Sequence, residues 1–213
     1  MDTPSQGIIV EMMSSRRTKN PLSELVQGGK ARVYTVGGTT ACLWVLESVD
    51  FVIFRGGLDR FGVHPHEVRG LWGILFAPFL HAGFGHLIAN TVGFVVLGLL
   101  VTSRRLVDFW IVFWTTALTA GLGCWLFGGM TAANEVHIGV SGVIFGFLGF
   151  LMARGWFERR FGSILMSVVV TFFFYGMLFG MVPDADSNIS WQAHLFGWLG
   201  GLGLAWLMAK FTR

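Results

Sequence analysis

Residues 139–153 read GVSGVIFGFLGFLMA, an uncharged run that ends at Arg154. Its 15 residues fall short of the roughly 20 that a helix needs to cross the hydrocarbon core of a bilayer. The amino end of such a segment is expected below the membrane surface, with the preceding loop, Gly128 to Ile138, dipping down to meet it. Irregular backbone at that depth is tolerated only around a protein-lined or water-filled cavity. The run carries one hydroxyl, Ser141, near the end that would face this cavity.

Working outward, five further apolar runs reach spanning length: Val33–Phe54, Pro78–Leu100, Leu106–Leu126, Phe161–Val182 and Trp191–Ala209. The chain is 54% hydrophobic and only 13% charged, where a soluble domain has about a quarter charged residues. The expectation is an all-α membrane protein: a six-span domain over residues 33–210, preceded by a flexible tail over residues 1–32. Of the 15 Lys and Arg, only Arg55, Arg60 and Arg69 fall on one side of these spans; the rest flank their other ends. The positive-inside rule then puts both termini in the cytoplasm, which an even number of spans requires. Basic residues used as loop anchors also make the net charge of +3 no sign of nucleic-acid binding. The tail lacks the apolar core of a signal peptide, and Asp2 and Glu11 argue against a transit peptide. Cys42 and Cys124 fall inside spans with no metal or disulfide spacing and read as packing residues.

Distance from each span's cytoplasmic charge estimates depth, at 1.5 Å per helical residue. Ser141 and Asn90 come out roughly 20 Å above the inner boundary, His194 roughly 24 Å and His86 roughly 27 Å. All four therefore occupy the outer third of a layer about 30 Å thick. Polar groups in hydrocarbon are costly without partners or a task. A neutral imidazole beside a serine hydroxyl can act as general base to a nucleophile. The sixth span has no carboxylate to orient His194, so a dyad is expected rather than a triad, with Phe145 holding the imidazole by ring packing. His86 and Asn90, four residues apart on one helix face, can donate to an oxyanion together with the Ser141 amide at a helix start.

Other readings stand beside this one. Ser141 alone can bond its own helix backbone. Gly139, Gly142, Gly146 and Gly149 on the fourth span, with Gly197, Gly200 and Gly201 on the sixth, can serve close helix packing, which would also bring Ser141 to His194. His81, His86 and His194 could hold a metal or a haem, although no His-Glu-x-x-His word is present. His81 reads as an anchor of the outer loop, and His64, His66 and His137 carry no distinct signal.

Together, His86-x-x-x-Asn90, Gly139-x-Ser141-Gly142 and Ala193-His194-x-x-Gly197 resemble the motifs of the rhomboid family of intramembrane serine proteases, in order and in span. The resemblance covers roughly Val33 to Ala209. It implies Ser141 as nucleophile, His194 as base, His86 and Asn90 as oxyanion donors, and no cofactor. It also implies single-span membrane proteins as substrates, cleaved near the outer face after lateral entry beside the fifth span. There Phe172, Phe173, Phe174, Tyr175 and Phe179 offer a wall, or merely face lipid. The Pro183–Ser190 loop would be a lid. Two positions depart from the family pattern: Trp72-Gly73 replaces a common Trp-Arg, and Phe145 stands where many members have Tyr. The expected activity is a serine endopeptidase in a bacterial plasma membrane. The alternatives are a non-catalytic binder of membrane helices with the same fold, or a metal- or haem-binding membrane protein.

Overall fold

A computed structural model describes residues 21–129, 136–183 and 189–211. Most of the expected tail (1–20), part of the loop before the short span (130–135) and the centre of the expected lid (184–188) lie outside the described residues. The described residues form helices: α1 Pro21–Val49, α2 Gly70–Phe76, α3 Phe84–Val101, α4 Leu106–Phe127, α5 Ser141–Glu158, α6 Phe161–Phe174 and α7 Trp191–Phe211. Among the described residues four stretches are long and apolar enough to cross a membrane: Glu24–Phe54, Phe84–Val101, Leu106–Phe127 and Phe161–Met181.

Helix α5 lies at the centre. Thirteen of its residues, from Gly142 to Gly155, are buried, and α3, α4, α6 and α7 all pack on it. A helix enclosed by protein has no need of a lipid-facing apolar surface, which explains how α5 can carry four glycines and Arg154. Helix α6 is the opposite case: Val170 is its one buried residue, and Phe172 and Phe173 stand exposed. Below Ser141 the core is aromatic, with Phe147 of α5 5.8 Å from Phe94 of α3 and 5.5 Å from Phe109 of α4, centroid to centroid. Helix α1 is peripheral and tied to α3 by the Trp44 indole donating to Thr91 Oγ1 at 3.1 Å.

Several boundaries differ from the sequence expectation for local reasons. Helix α1 already covers residues 21–34, ahead of and into the apolar run, so the helix extends beyond the amino end of the expected first span. The second span begins as a 3₁₀ turn, Ala77–Phe79, and becomes α-helical only at Phe84, because Pro78 and Gly83 (φ 91°) break the register. His81 is therefore on a connector rather than on the helix of His86 and Asn90. Helix α5 begins at Ser141 rather than Gly139, and α6 tightens into a 3₁₀ segment at Tyr175–Met181.

The first outer loop contains the unexpected helix α2. Gly73 accounts for the Trp72-Gly73 departure: a Cβ there would overlap the backbone carbonyl of Gly62. Backbone contact, together with a Val63–His137 bridge, thus anchors this loop, while Arg69 pairs with Glu67 at the surface.

At the top of α1, Asp50 accepts from the Leu58 amide at 3.0 Å. Asp59 sits close by with one buried carboxylate oxygen lacking a partner. Burial, then the nearby Asp50 and Glu47 charges, push the Asp59 carboxyl from its usual 3.8 up to about 6. The folded protein therefore holds a proton that the unfolded chain releases between those values, and stability falls as pH rises through that window. Asp59→Asn is expected to stabilise the protein by about 1 kcal/mol at pH 7, after discounting for solvent. The gain should vanish below about pH 4. Thermal melts at the two pH values check it; equal gains at both would refute the assignment.

Candidate active site

Ser141 is the first residue of α5, where helical amides have no intrahelical acceptor. Gly139 leads into it with φ 110°, a left-handed conformation that suits glycine. The Gly139 amide donates to the Ala77 carbonyl at 2.8 Å, and the Val140 amide to His81 Nε2 at 3.4 Å. His81 thus secures the turn that presents the serine.

His194, one turn into α7, faces the serine: its Nε2 lies 2.9 Å from Ser141 Oγ. Its Nδ1 lies 2.8 Å from the Gly180 carbonyl. A carbonyl can only accept, so Nδ1 carries the hydrogen and Nε2 offers its lone pair to the hydroxyl. The imidazole stacks on Phe145, centroids 4.0 Å apart and planes 9° apart. A Cβ at Gly180 would sit 3.2 Å from both His194 Nδ1 and Phe145 Cζ. A backbone carbonyl with a glycine beside it orients the ring where a carboxylate often does.

On the other side, a Cβ on Gly139 would fall 2.7 Å from His86 Cε1 and 3.8 Å from Asn90 Nδ2. Both side chains of α3 therefore border the bare backbone next to Ser141. Asn90 Nδ2 is buried and lacks a hydrogen-bond partner among the described residues. An unpaired buried amide donor costs free energy, so a site that leaves one open beside a nucleophile fits an incoming acceptor.

Ser141 meets His194 because α5 and α7 approach through glycine. A Cβ at Gly197 would overlap the Gly142 carbonyl, one at Gly201 the Gly146 carbonyl, and one at Gly149 the Trp198 carbonyl. Gly200 instead faces Thr119 of α4.

Three supporting residues carried no sequence signal. His137 is buried at 4% exposure, with Nδ1 2.6 Å from Ser190 Oγ. The Ser190 carbonyl in turn accepts the His194 amide at 3.2 Å. Gly180 acts through its backbone alone, which no residue pattern announces. His64 and His66 bond loop carbonyls. Among the described residues no group of three or more His, Cys, Asp or Glu is placed to hold a metal ion.

A helical bundle with four helices among the described residues fit to cross a membrane, and with a half-buried serine against a buried histidine, is a membrane-integral protein of a definite kind. The Rhomboid domain model matches residues 68–211, and the chain belongs to the rhomboid family. It is similar to the uncharacterized protein Rv1337 of Mycobacterium tuberculosis, with 39% identity across 93% of this chain and 86% of the relative. ML1171 of Mycobacterium leprae is 39% identical across 84% of this chain and 74% of its own length. The "Putative rhomboid protease YdcA" of Bacillus subtilis is 28% identical across 80% and 84%.

Proposed function

We propose that the protein is an intramembrane serine endopeptidase that cleaves single-span membrane proteins near the outer face of a bacterial plasma membrane. The observation that carries this reading is the 2.9 Å contact between His194 Nε2 and Ser141 Oγ, with Nδ1 committed to Gly180. In this reading the bundle crosses the bilayer six times with both termini cytoplasmic. Residues 33–210 are the catalytic domain, with α5 as the interior crossing and α7 as a crossing that packs one face on α5 and leaves Leu199, Trp206 and Leu207 exposed.

His194 takes the Ser141 proton as Oγ attacks the scissile carbonyl. The resulting oxyanion is held by the Ser141 amide, Asn90 Nδ2 and His86, with the helix dipole aligned to it. His194 then gives its proton to the leaving amine, and a water activated by the same imidazole releases the acyl group from Ser141. The substrate helix unwinds to present its carbonyl, entering past α6 and the 3₁₀ segment that follows it, whose exposed Phe172, Phe173 and Phe179 border that side.

The test is a reconstituted liposome assay with a model single-span substrate, together with a fluorophosphonate probe. Wild-type cleavage with labelling confined to chains that retain Ser141 supports the reading. A silent probe with no cleavage favours a non-catalytic binder of membrane helices. Asn90→Ala is expected to lower kcat by about 10²-fold with little change in KM, since its amide engages the oxyanion and not the ground state. A matching rise in KM would assign Asn90 to substrate binding instead.

A further inference from the structure

At the opposite end of α5 from Ser141, roughly 20 Å away along the helix, an open cavity of about 260 Å³ lies between the start of α4 and the ends of α5 and α7. That volume lies just below the range of small-molecule pockets, roughly 300–1,000 Å³, and so suits a headgroup-sized ligand. Arg104, Arg105 and Arg154 line it with Asp108 and Glu158, and Phe150 and Met208 add an apolar part. Three guanidinium groups against two carboxylates leave one positive charge in excess.

The carboxylates are held by the arginines without using up their donors. Arg105 grips Asp108 through Nε and Nη2 at 2.9 and 2.7 Å. Arg104 Nη1 lies 2.5 Å from Glu158 Oε1. Arg154 reaches the same oxygen through Nε at 3.0 Å. Arg154 is 4% exposed, yet its Nη groups are not sealed in protein and make no hydrogen bond to the described residues. A guanidinium offers five N–H donors, so several remain without an acceptor among the described residues. The mouth is formed by the more exposed side chains, Arg104 at 32% and Arg105 at 55%.

We propose that this cavity binds a phosphate-bearing anion, gripped by Arg104, Arg105 and Arg154. Guanidinium pairs match phosphate oxygens bidentately, and a single surplus positive charge suits a phosphodiester monoanion. The apolar part beside Phe150 and Met208 suits an amphiphile. Basic pockets between membrane helices take anionic headgroups on the face rich in Lys and Arg. Lys210, stacked 3.7 Å over the exposed Trp206 at the end of α7, has the form of an interfacial anchor at this same level.

The ligand can come from two sources, an anionic lipid headgroup or free phosphate. The full chain in neutral detergent is titrated with short-chain phosphatidylglycerol, short-chain phosphatidylcholine and inorganic phosphate, with melting temperature and native mass spectrometry as readouts. Saturable stabilisation by phosphatidylglycerol but not by phosphatidylcholine identifies the lipid headgroup. Stabilisation by inorganic phosphate as well identifies the phosphate group as sufficient. In either case Arg105→Gln, at the exposed mouth, should weaken the apparent affinity roughly fivefold. Arg154→Gln should weaken it roughly tenfold if it folds; Arg105→Gln decides the matter if it does not. No saturable response to any of the three, or an unchanged response in Arg105→Gln, overturns the site. Because none of these readouts depends on proteolysis, failure here leaves the Ser141 assignment untouched.

Discussion

Ser141→Ala is expected to reduce cleavage of a model transmembrane substrate by at least about 10⁴-fold, and His194→Ala by a similar factor. The double variant should be no worse than either single one. The hydroxyl is a weak nucleophile until the imidazole takes its proton, and the imidazole has no other task in the site, so the two act as one unit. Their 2.9 Å contact is already made in the free protein, and the Gly180 carbonyl and the Phe145 ring leave the imidazole no other orientation. Single-turnover cleavage in liposomes measures all three variants on one scale. Loss within tenfold of wild type in either single variant, or additive losses in the double one, would remove the pair from the mechanism. Melting temperatures should stay close to wild type for Ser141→Ala, which deletes one oxygen at a helix start.

Much of this site was legible because membrane burial makes polar residues conspicuous. Ser141, His194, His86 and Asn90 stand out in apolar runs, and helical rise alone puts them at one depth. The structure does bring Ser141 to His194 and ranges His86 and Asn90 about Gly139. What stayed hidden is what works through the backbone or across the chain. Gly180 orients the imidazole with a carbonyl that every residue possesses. His137 looked like one more loop histidine, yet its bond to Ser190 depends on a fold-level meeting of two loops. Helix α2 was missed because its seven residues fall inside a stretch with no length to register as a span. The start of α3 was misplaced for a different reason: hydropathy runs unbroken through Pro78 and Gly83, while the backbone does not. Packing against neighbouring helices also explains why α5 and α7, at 18 and 21 residues, match the spans in length but are not among the stretches apolar enough to cross a membrane. Gly142, Gly146, Gly149, Gly197, Gly201, His194 and Arg154 face protein, so apolar content measures contact with lipid better than it measures membership of the bundle.

The glycine contact between α5 and α7 yields the second large effect. Gly197→Ala is expected to destabilise the protein by about 1–3 kcal/mol and to lower cleavage by about 10²-fold or more. The new methyl would overlap the Gly142 carbonyl, an atom of helical backbone that cannot swing aside as a flexible side chain could. The helices must separate instead, and Gly142 is the residue directly after the serine. A displacement of about 1 Å would stretch the Ser141–His194 contact past hydrogen-bonding distance. Gly203, six residues further along the same helix, supplies the control, since a Cβ there meets nothing within 4 Å. Gly203→Ala should keep full activity and gain slightly in stability from helix propensity, by under about 1 kcal/mol. Chemical unfolding in detergent and cleavage in liposomes separate the two variants. Indistinguishable behaviour would mean that α7 tolerates bulk on its α5 face, and the close approach could not be what sets the geometry of the pair.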